Sequence, residues 1–227
     1  MEKIGFIGGY DKTDLIIYTA KVLTEMGNKV LILDTTQNQK TRYVVPAINP
    51  TISYITEFQN IDVAVGFENF EAIQDYFGVR DGELLYDYAL IDLDRVDQAE
   101  KIGISITDKV YFVTAFDLYS LKKGVEILGD LKNPLKLTKV YYSRGFYNED
   151  DEYLEFLALG KKVIWDENIM YFPLDSGDQS SIAENQRLGK IKFKNLTPDY
   201  KEGISALISN ITGEKIKDIK MLIKNFE

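Results

Sequence analysis

The stretch Gly8-Gly9-Tyr10-Asp11-Lys12-Thr13 brings two glycines, an ammonium and a hydroxyl into six consecutive residues. Two glycines let backbone N–H groups turn inward toward an anion. Lys12 can set its charge on a phosphate, and Thr13 can offer a hydroxyl to magnesium at the positive end of a helix. These are the ingredients of a loop for ATP or ADP with magnesium. Each residue also has a plainer duty. Gly8-Gly9 suits any strand-to-helix turn, Lys12 can pair on the surface with Asp11 or Asp14, Thr13 can cap a helix, and the strand-end acids Asp34 and Asp92 can cap or pair with Lys12.

The surrounding pattern is one that places such a loop at a ligand site. Lys3 to Gly8 (KIGFIG) reads as a buried strand, Thr13 to Met26 as a helix stopped by Gly27, and Asn28 to Asp34 (NKVLILD) as a second strand. Further strands are predicted at Ile61 to Val65, Asp87 to Asp92, Val110 to Thr114, Leu137 to Tyr142, Val163 to Trp165 and Ile169 to Phe172. Helices are predicted at Asn69 to Phe77, Leu118 to Leu131, Asp150 to Leu159, Pro198 to Ile211 and Glu214 to Phe226. Apolar strands alternating with helices predict a doubly wound, mostly parallel α/β sheet with helices on both faces, in one domain over residues 1–227. In such sheets ligands bind beyond the carboxyl ends of the strands, where the first strand meets the first helix.

Composition narrows the chemistry further. The 227 residues contain no cysteine and no histidine, so thiolate and imidazole catalysis and metal ligation are excluded. Carboxylates, lysines, hydroxyls and backbone amides must carry any reaction. A formal charge of −9 repels phosphate backbones and argues against nucleic acid. No stretch has the length of apolar residues that a signal peptide or membrane span needs, which reads as a cytoplasmic protein.

In order and register these motifs resemble the MinD/ParA group of P-loop ATPases. KIGFIGG, DKT and NKVLILD follow that family's strand, glycine-rich loop, Lys-Thr and aspartate-ended strand. YDYALID is similar to its later aspartate-ended strand, with Asp92 at the magnesium and water position. DKVYFVTAFDLYSLKKGVEIL is similar to the strand and helix that follow. VYYSR matches the strand ending in Asn-Arg near the adenine, with Ser143 for Asn and Arg144 retained. YFPLDSGDQSSIAENQRLGK resembles the late proline-terminated strand, acidic helix and Gly-Lys. The resemblance implies nucleotide contact by Gly8, Gly9, Lys12, Thr13, Asp34, Asp92 and Arg144, with magnesium at Thr13 and Asp92.

Departures from the family pattern point away from hydrolysis. Six positions before Lys12 lies Phe6 rather than the first glycine, so the loop is short, and the dimer-bridging lysine falls at Ile7. Asp11 replaces the glycine before the lysine, and Asp14 the second hydroxyl after it. Like charges 4 Å apart at intermediate dielectric cost about 4 kcal/mol, which Asp11 would impose on a polyphosphate. Thr36 stands where the family has its water-activating acid, and Asp94 is an extra acid. The resemblance therefore implies a non-hydrolysing relative acting through protein partners, a homodimer among them, in positioning or regulating a bacterial assembly. Pilus, secretion or conjugation machinery is the family-level expectation, because TadZ and CpaE serve there. The alternative is an ATPase with an atypical short loop.

Two other features invite partners. Tyr141, Tyr142, Phe146 and Tyr147 cannot all point inward from one strand and its exit loop, which predicts an exposed aromatic patch. Ile216, Ile219, Ile223 and Phe226 recur at helical spacing among Lys215, Lys217, Lys220 and Lys224. Residues 214–226 thus read either as a last helix packed on the sheet or as an amphipathic anchor on the inner face of the membrane.

Overall fold

A computed structural model describes residues 1–48, 50–79, 84–105, 108–129, 131–143, 148–173 and 175–226. Arg144, Phe146 and Tyr147 lie outside the described residues. Eight strands form one sheet: β1 (Glu2–Ile7), β2 (Val30–Asp34), β3 (Tyr54–Phe58), β4 (Ile61–Val65), β5 (Tyr88–Leu93), β6 (Lys109–Ala115), β7 (Leu135–Tyr142) and β8 (Val163–Phe172), in the order β3-β4-β2-β5-β1-β6-β7-β8. All pairings are parallel except β3 with β4. The helices are α1 (Thr13–Glu25), α2 (Thr41–Val44), α3 (Phe70–Phe77), α4 (Val96–Ile102), α5 (Leu118–Leu128), α6 (Asn148–Leu157), α7 (Ser176–Leu188), α8 (Pro198–Thr212) and α9 (Ile216–Asn225). The mostly parallel α/β sheet expected from the sequence is the fold observed.

Side chains alternate along the central strands, and both alternating sets are covered. Ile4 and Phe6 of β1, Val30 and Ile32 of β2 and Leu90 of β5 join one core with α1, α8 and α9. Ile7, Leu31, Leu33, Ala89 and Ile91 join a second core with α3, α4, α5 and α6. Burial on both faces is why β2 reads as the unbroken apolar run Val-Leu-Ile-Leu before its aspartate.

Some elements differ from expectation. Val163 to Phe172 is one strand rather than two, because a register shift opposite Leu137 and Lys139 absorbs the polar residues of its middle. The edge strand β3 pairs Phe58 with Ile61 across Gln59 and Asn60, whose φ angles of 54° and 67° close a tight hairpin. Gln-Asn is a weak turn signal, so Tyr54 to Phe58 does not announce itself as a strand. Tyr141 and Tyr142 do not form an exposed patch. They point to opposite faces of β7, and since each face has its own core, both are buried. The last helix sinks Ile219 and Ile223 into the core, and the Phe226 ring meets Phe193 at 5.3 Å. Ile216 and Met221 stay exposed beside Lys217, Lys220 and Lys224. Among the described residues, no helix is long and apolar enough to cross a membrane.

Candidate functional site

The carboxyl ends of β1, β2 and β5 lie side by side, with Asp34 opposite Asp92 and Ile7 opposite Leu93 in the ladder. Strand register alone thus gathers the Gly8–Thr13 loop and both aspartates. At the loop's first residue the chain requires glycine. Gly8 has φ +149°, and a Cβ there would stand 2.1 Å from the Val113 carbonyl oxygen. Gly9 lies against α5, where a Cβ would be 3.0 Å from the Gly124 nitrogen.

Lys12 is not a surface lysine. It is 4% exposed, donates to the Gly8 carbonyl at 3.4 Å, and its Nζ lies 2.9 Å from Asp92 Oδ1. Its partner is therefore Asp92, rather than Asp11 or Asp14. Those two belong instead to Lys40, which bonds Asp11 Oδ2 at 2.5 Å and Asp14 Oδ2 at 3.1 Å. Thr13 is not the cap but the first residue of α1, and its N–H donates to Asp11 Oδ1 at 3.1 Å. An anion already sits on the helix N-terminus, and it is the chain's own carboxylate.

The remaining predicted residues are tied down as well. Asp34 accepts from the Thr36 N–H at 3.0 Å, the Thr36 hydroxyl at 2.6 Å and the Thr41 N–H at 3.1 Å. It organises the turn into α2, and Thr36 is a hydrogen-bond donor where an acid would repel. Thr35 donates its hydroxyl to the Asp92 carbonyl at 2.7 Å. Asp94 accepts from the Gln37 N–H at 2.8 Å, pinning the same turn from β5. Ser143 continues the ladder by donating its N–H to the Phe172 carbonyl at 2.8 Å. Among the described residues no group of three or more acids is arranged to hold a metal. As arranged, the Lys12 ammonium, the amide at the head of α1 and the Asp34 carboxylate already have intrachain partners, while Asp92 Oδ1 is ion-paired with Lys12 but buried without an aligned hydrogen bond.

The electrostatics follow burial. Burial pushes the Asp92 carboxyl up to about 6, against the pull of Lys12 and with the push of Asp34. Burial would also raise Asp11, but the hydrogen bond and charge of Lys40 outweigh it and hold that carboxyl below the usual range. Lys40 is raised, its burial being overcome by Asp14 and Asp11. Because Asp92 binds its proton more tightly folded than unfolded, its contribution to stability is full below the unfolded value of 3.8 and is lost as pH rises through about 6. The stability difference between wild type and Asp92→Asn, read from urea melts, should fall steeply from pH 4 to 6 and then level off. A difference that rises over that interval contradicts this assignment.

Some residues of the site leave no trace in the sequence. Lys40 lies in a stretch without periodicity, and Gln186, whose Nε2 donates to Asp14 Oδ1 at 2.7 Å, is 172 residues away. Beside the loop, Tyr10 stacks on Tyr142 at 4.7 Å and lines a cavity of about 270 Å³ with Asp178, Gln186 and Tyr200. A larger cavity of about 820 Å³ opens at the amino ends of β2 and β5, away from the loop.

No family model and no curated protein matches the sequence. Solved structures do. The MinC:MinD cell division complex of Aquifex aeolicus contains a chain that superposes with a TM-score of 0.60 at 15% identity, covering 95% of this chain and 97% of that one. The chain has the MinD/ParA fold. A plasmid partition protein from Borrelia burgdorferi bound to AMPPNP gives a TM-score of 0.55 at 17% identity, covering 97% and 99%. The ATP complex of Cyanothece McdA gives 0.53 at 13%, covering 95% and 97%.

Proposed function

We propose that this chain is a non-hydrolysing protein of MinD/ParA fold that acts through protein partners in positioning or regulating a larger bacterial assembly, with pilus, secretion or conjugation machinery as the specific expectation. One observation carries the reading. The Asp11 carboxylate accepts the Thr13 N–H at the head of α1, where a bound phosphate would need that donor. The Lys12–Asp92 pair supports it, since a phosphate would have to compete with a buried carboxylate 2.9 Å away for the same ammonium. Burial of Ile219 and Ile223 favours protein over lipid as the partner, because the middle of the apolar stripe of α9 is already used, while Ile216 and Met221 stay exposed. A second copy of the chain is one such partner.

A nucleotide-binding ATPase with a short loop is the second reading. It is favoured by the grouping of Lys12, Thr13 and Asp92 at the carboxyl ends of the neighbouring strands β1 and β5, and by the AMPPNP and ATP held by the structural neighbours. Thermal unfolding separates the two. A protein that binds magnesium-ATP, at a hundredfold excess over its dissociation constant, gains about 2.7 kcal/mol. That gain is roughly 5–11 °C for a chain of this length. The expected result here is no shift with millimolar magnesium-ATP. A shift of that size, abolished by Lys12→Ala, establishes the second reading instead.

A further inference from the structure

The cavity of about 270 Å³ beside the loop differs from the loop itself in chemistry. Its wall carries the carboxylates of Asp11, Asp14 and Asp178 against one cation, Lys40. Asp178 is satisfied by neutral donors only, the N–H and hydroxyl of Thr197, both at 2.7 Å. Two negative charges on the wall are therefore left without a countercharge from the lining. The floor is aromatic, with Tyr10 stacked on Tyr142. The Tyr200 hydroxyl, on a residue 2% exposed, has the Tyr142 hydroxyl beside it but makes no well-aligned hydrogen bond.

We infer that this cavity binds a primary ammonium group carried on an aliphatic stem. Lys40 already shows the seat, since its ammonium bridges Asp11 and Asp14 at 2.5 and 3.1 Å. That bridge is displaceable. The Lys40, Asp11 and Asp14 side chains are 36%, 51% and 22% exposed, and pairs that reach solvent in this way contribute about 0–1 kcal/mol on the exposed Asp11 arm. Size sets the class of ligand. Pockets for drug-sized molecules run from about 300 Å³ upward, so this one suits a single lysine-like stem rather than a nucleotide. Tyrosine rings along the stem give an ammonium both apolar contact and the negative face of a π-system. The ammonium comes from a free polyamine or from a lysine on a partner protein, and the inference holds whether or not the loop binds ATP.

The test is titration of the ¹⁵N-labelled full chain with cadaverine, with N-acetyl-lysine methylamide, and with N-acetyl-norleucine methylamide, followed by amide NMR. Saturable shifts at Tyr10, Gln179 and Gln186 are expected with both amines and not with the norleucine compound. Tighter binding of cadaverine marks a free polyamine as the source, and tighter binding of the lysine amide marks a partner's side chain. Asp14→Asn should weaken binding about tenfold or more, as loss of a charged hydrogen-bond partner does. Lys40→Met removes the internal competitor and should tighten binding by about two- to fivefold. Equal binding of the norleucine compound, no saturable shift with either amine, or unchanged affinity in Lys40→Met overturns the inference. The last outcome cannot come from a misfolded variant, because a gain is what is sought.

Discussion

Combining Asp151→Ala with Glu155→Gln is expected to destabilise the protein by about 3–5 kcal/mol, the usual cost of stranding a buried charge. Lys139 sits within β7, 2% exposed, with its Nζ 2.7 Å from Asp151 Oδ1 and 2.6 Å from Glu155 Oε1. The ammonium also lies 5.2 Å from the centre of the Trp165 ring, and the Tyr141 hydroxyl donates to the same Asp151 oxygen. Both acids come from α6, so this pair fastens the helix to the sheet. The two sides of the pair are unequal. The Asp151 and Glu155 side chains are 16% and 51% exposed and can turn to water, whereas Lys139 cannot. Lys139→Met should therefore cost less than about 1.5 kcal/mol, as a shape-conserving apolar replacement. At roughly 2–4 °C per kcal/mol, the double variant melts about 6–20 °C below wild type. If Lys139→Met melts as low as the double variant, the asymmetry is wrong.

Gly8→Ala is the second substitution with a large expected effect, about 2–6 kcal/mol of lost stability without any ligand present. The figure adds roughly 1–3 kcal/mol for an L residue at strained backbone angles to roughly 1–3 kcal/mol for overpacking. Both terms apply because φ is +149° and the new Cβ would stand 2.1 Å from a backbone oxygen, which no side-chain rotation can relieve. Gly27→Ala separates the terms. Its φ is +91°, with nothing within 4 Å of the new Cβ, so only the backbone term of roughly 1–3 kcal/mol remains. Urea midpoints of the two variants should differ by the crowding term, and coincident midpoints would remove it. The glycine that looks most like a phosphate cradle is thus required by the passage of the chain beside β6, whatever the loop binds.

The loop also shows where sequence reading stops. Lys12, Thr13, Asp34 and Asp92 are recognisable because short-range pattern marks them: each sits at the end of an apolar run or the start of a helical one. Their partners are legible only in part, since the sequence allows Lys12 to pair with Asp34 or Asp92 at the strand ends as well as with Asp11 or Asp14. The local neighbours Asp11 and Asp14 look like natural mates for Lys12, yet burial draws Lys12 inward to Asp92, 80 residues away, and leaves the two outer acids to Lys40. Proximity along the chain favours the first pairing. A helix that starts at Thr13 turns the side chains of Lys12 and Asp14 in different directions, and this favours the second.

The same contrast holds for the whole molecule. By itself the sequence determined the parallel α/β sheet, the position of its first strand-loop-helix unit and the absence of thiol and imidazole chemistry. Those depend on composition and on periods of two and 3.6 residues that are written along the chain. Only the tertiary structure decided that Tyr141 and Tyr142 are both buried, that Ile219 and Ile223 of α9 face the core, and that Asp11 occupies the amide at the head of α1. Each of these depends on what a second, distant element covers or leaves open, and no local period records that.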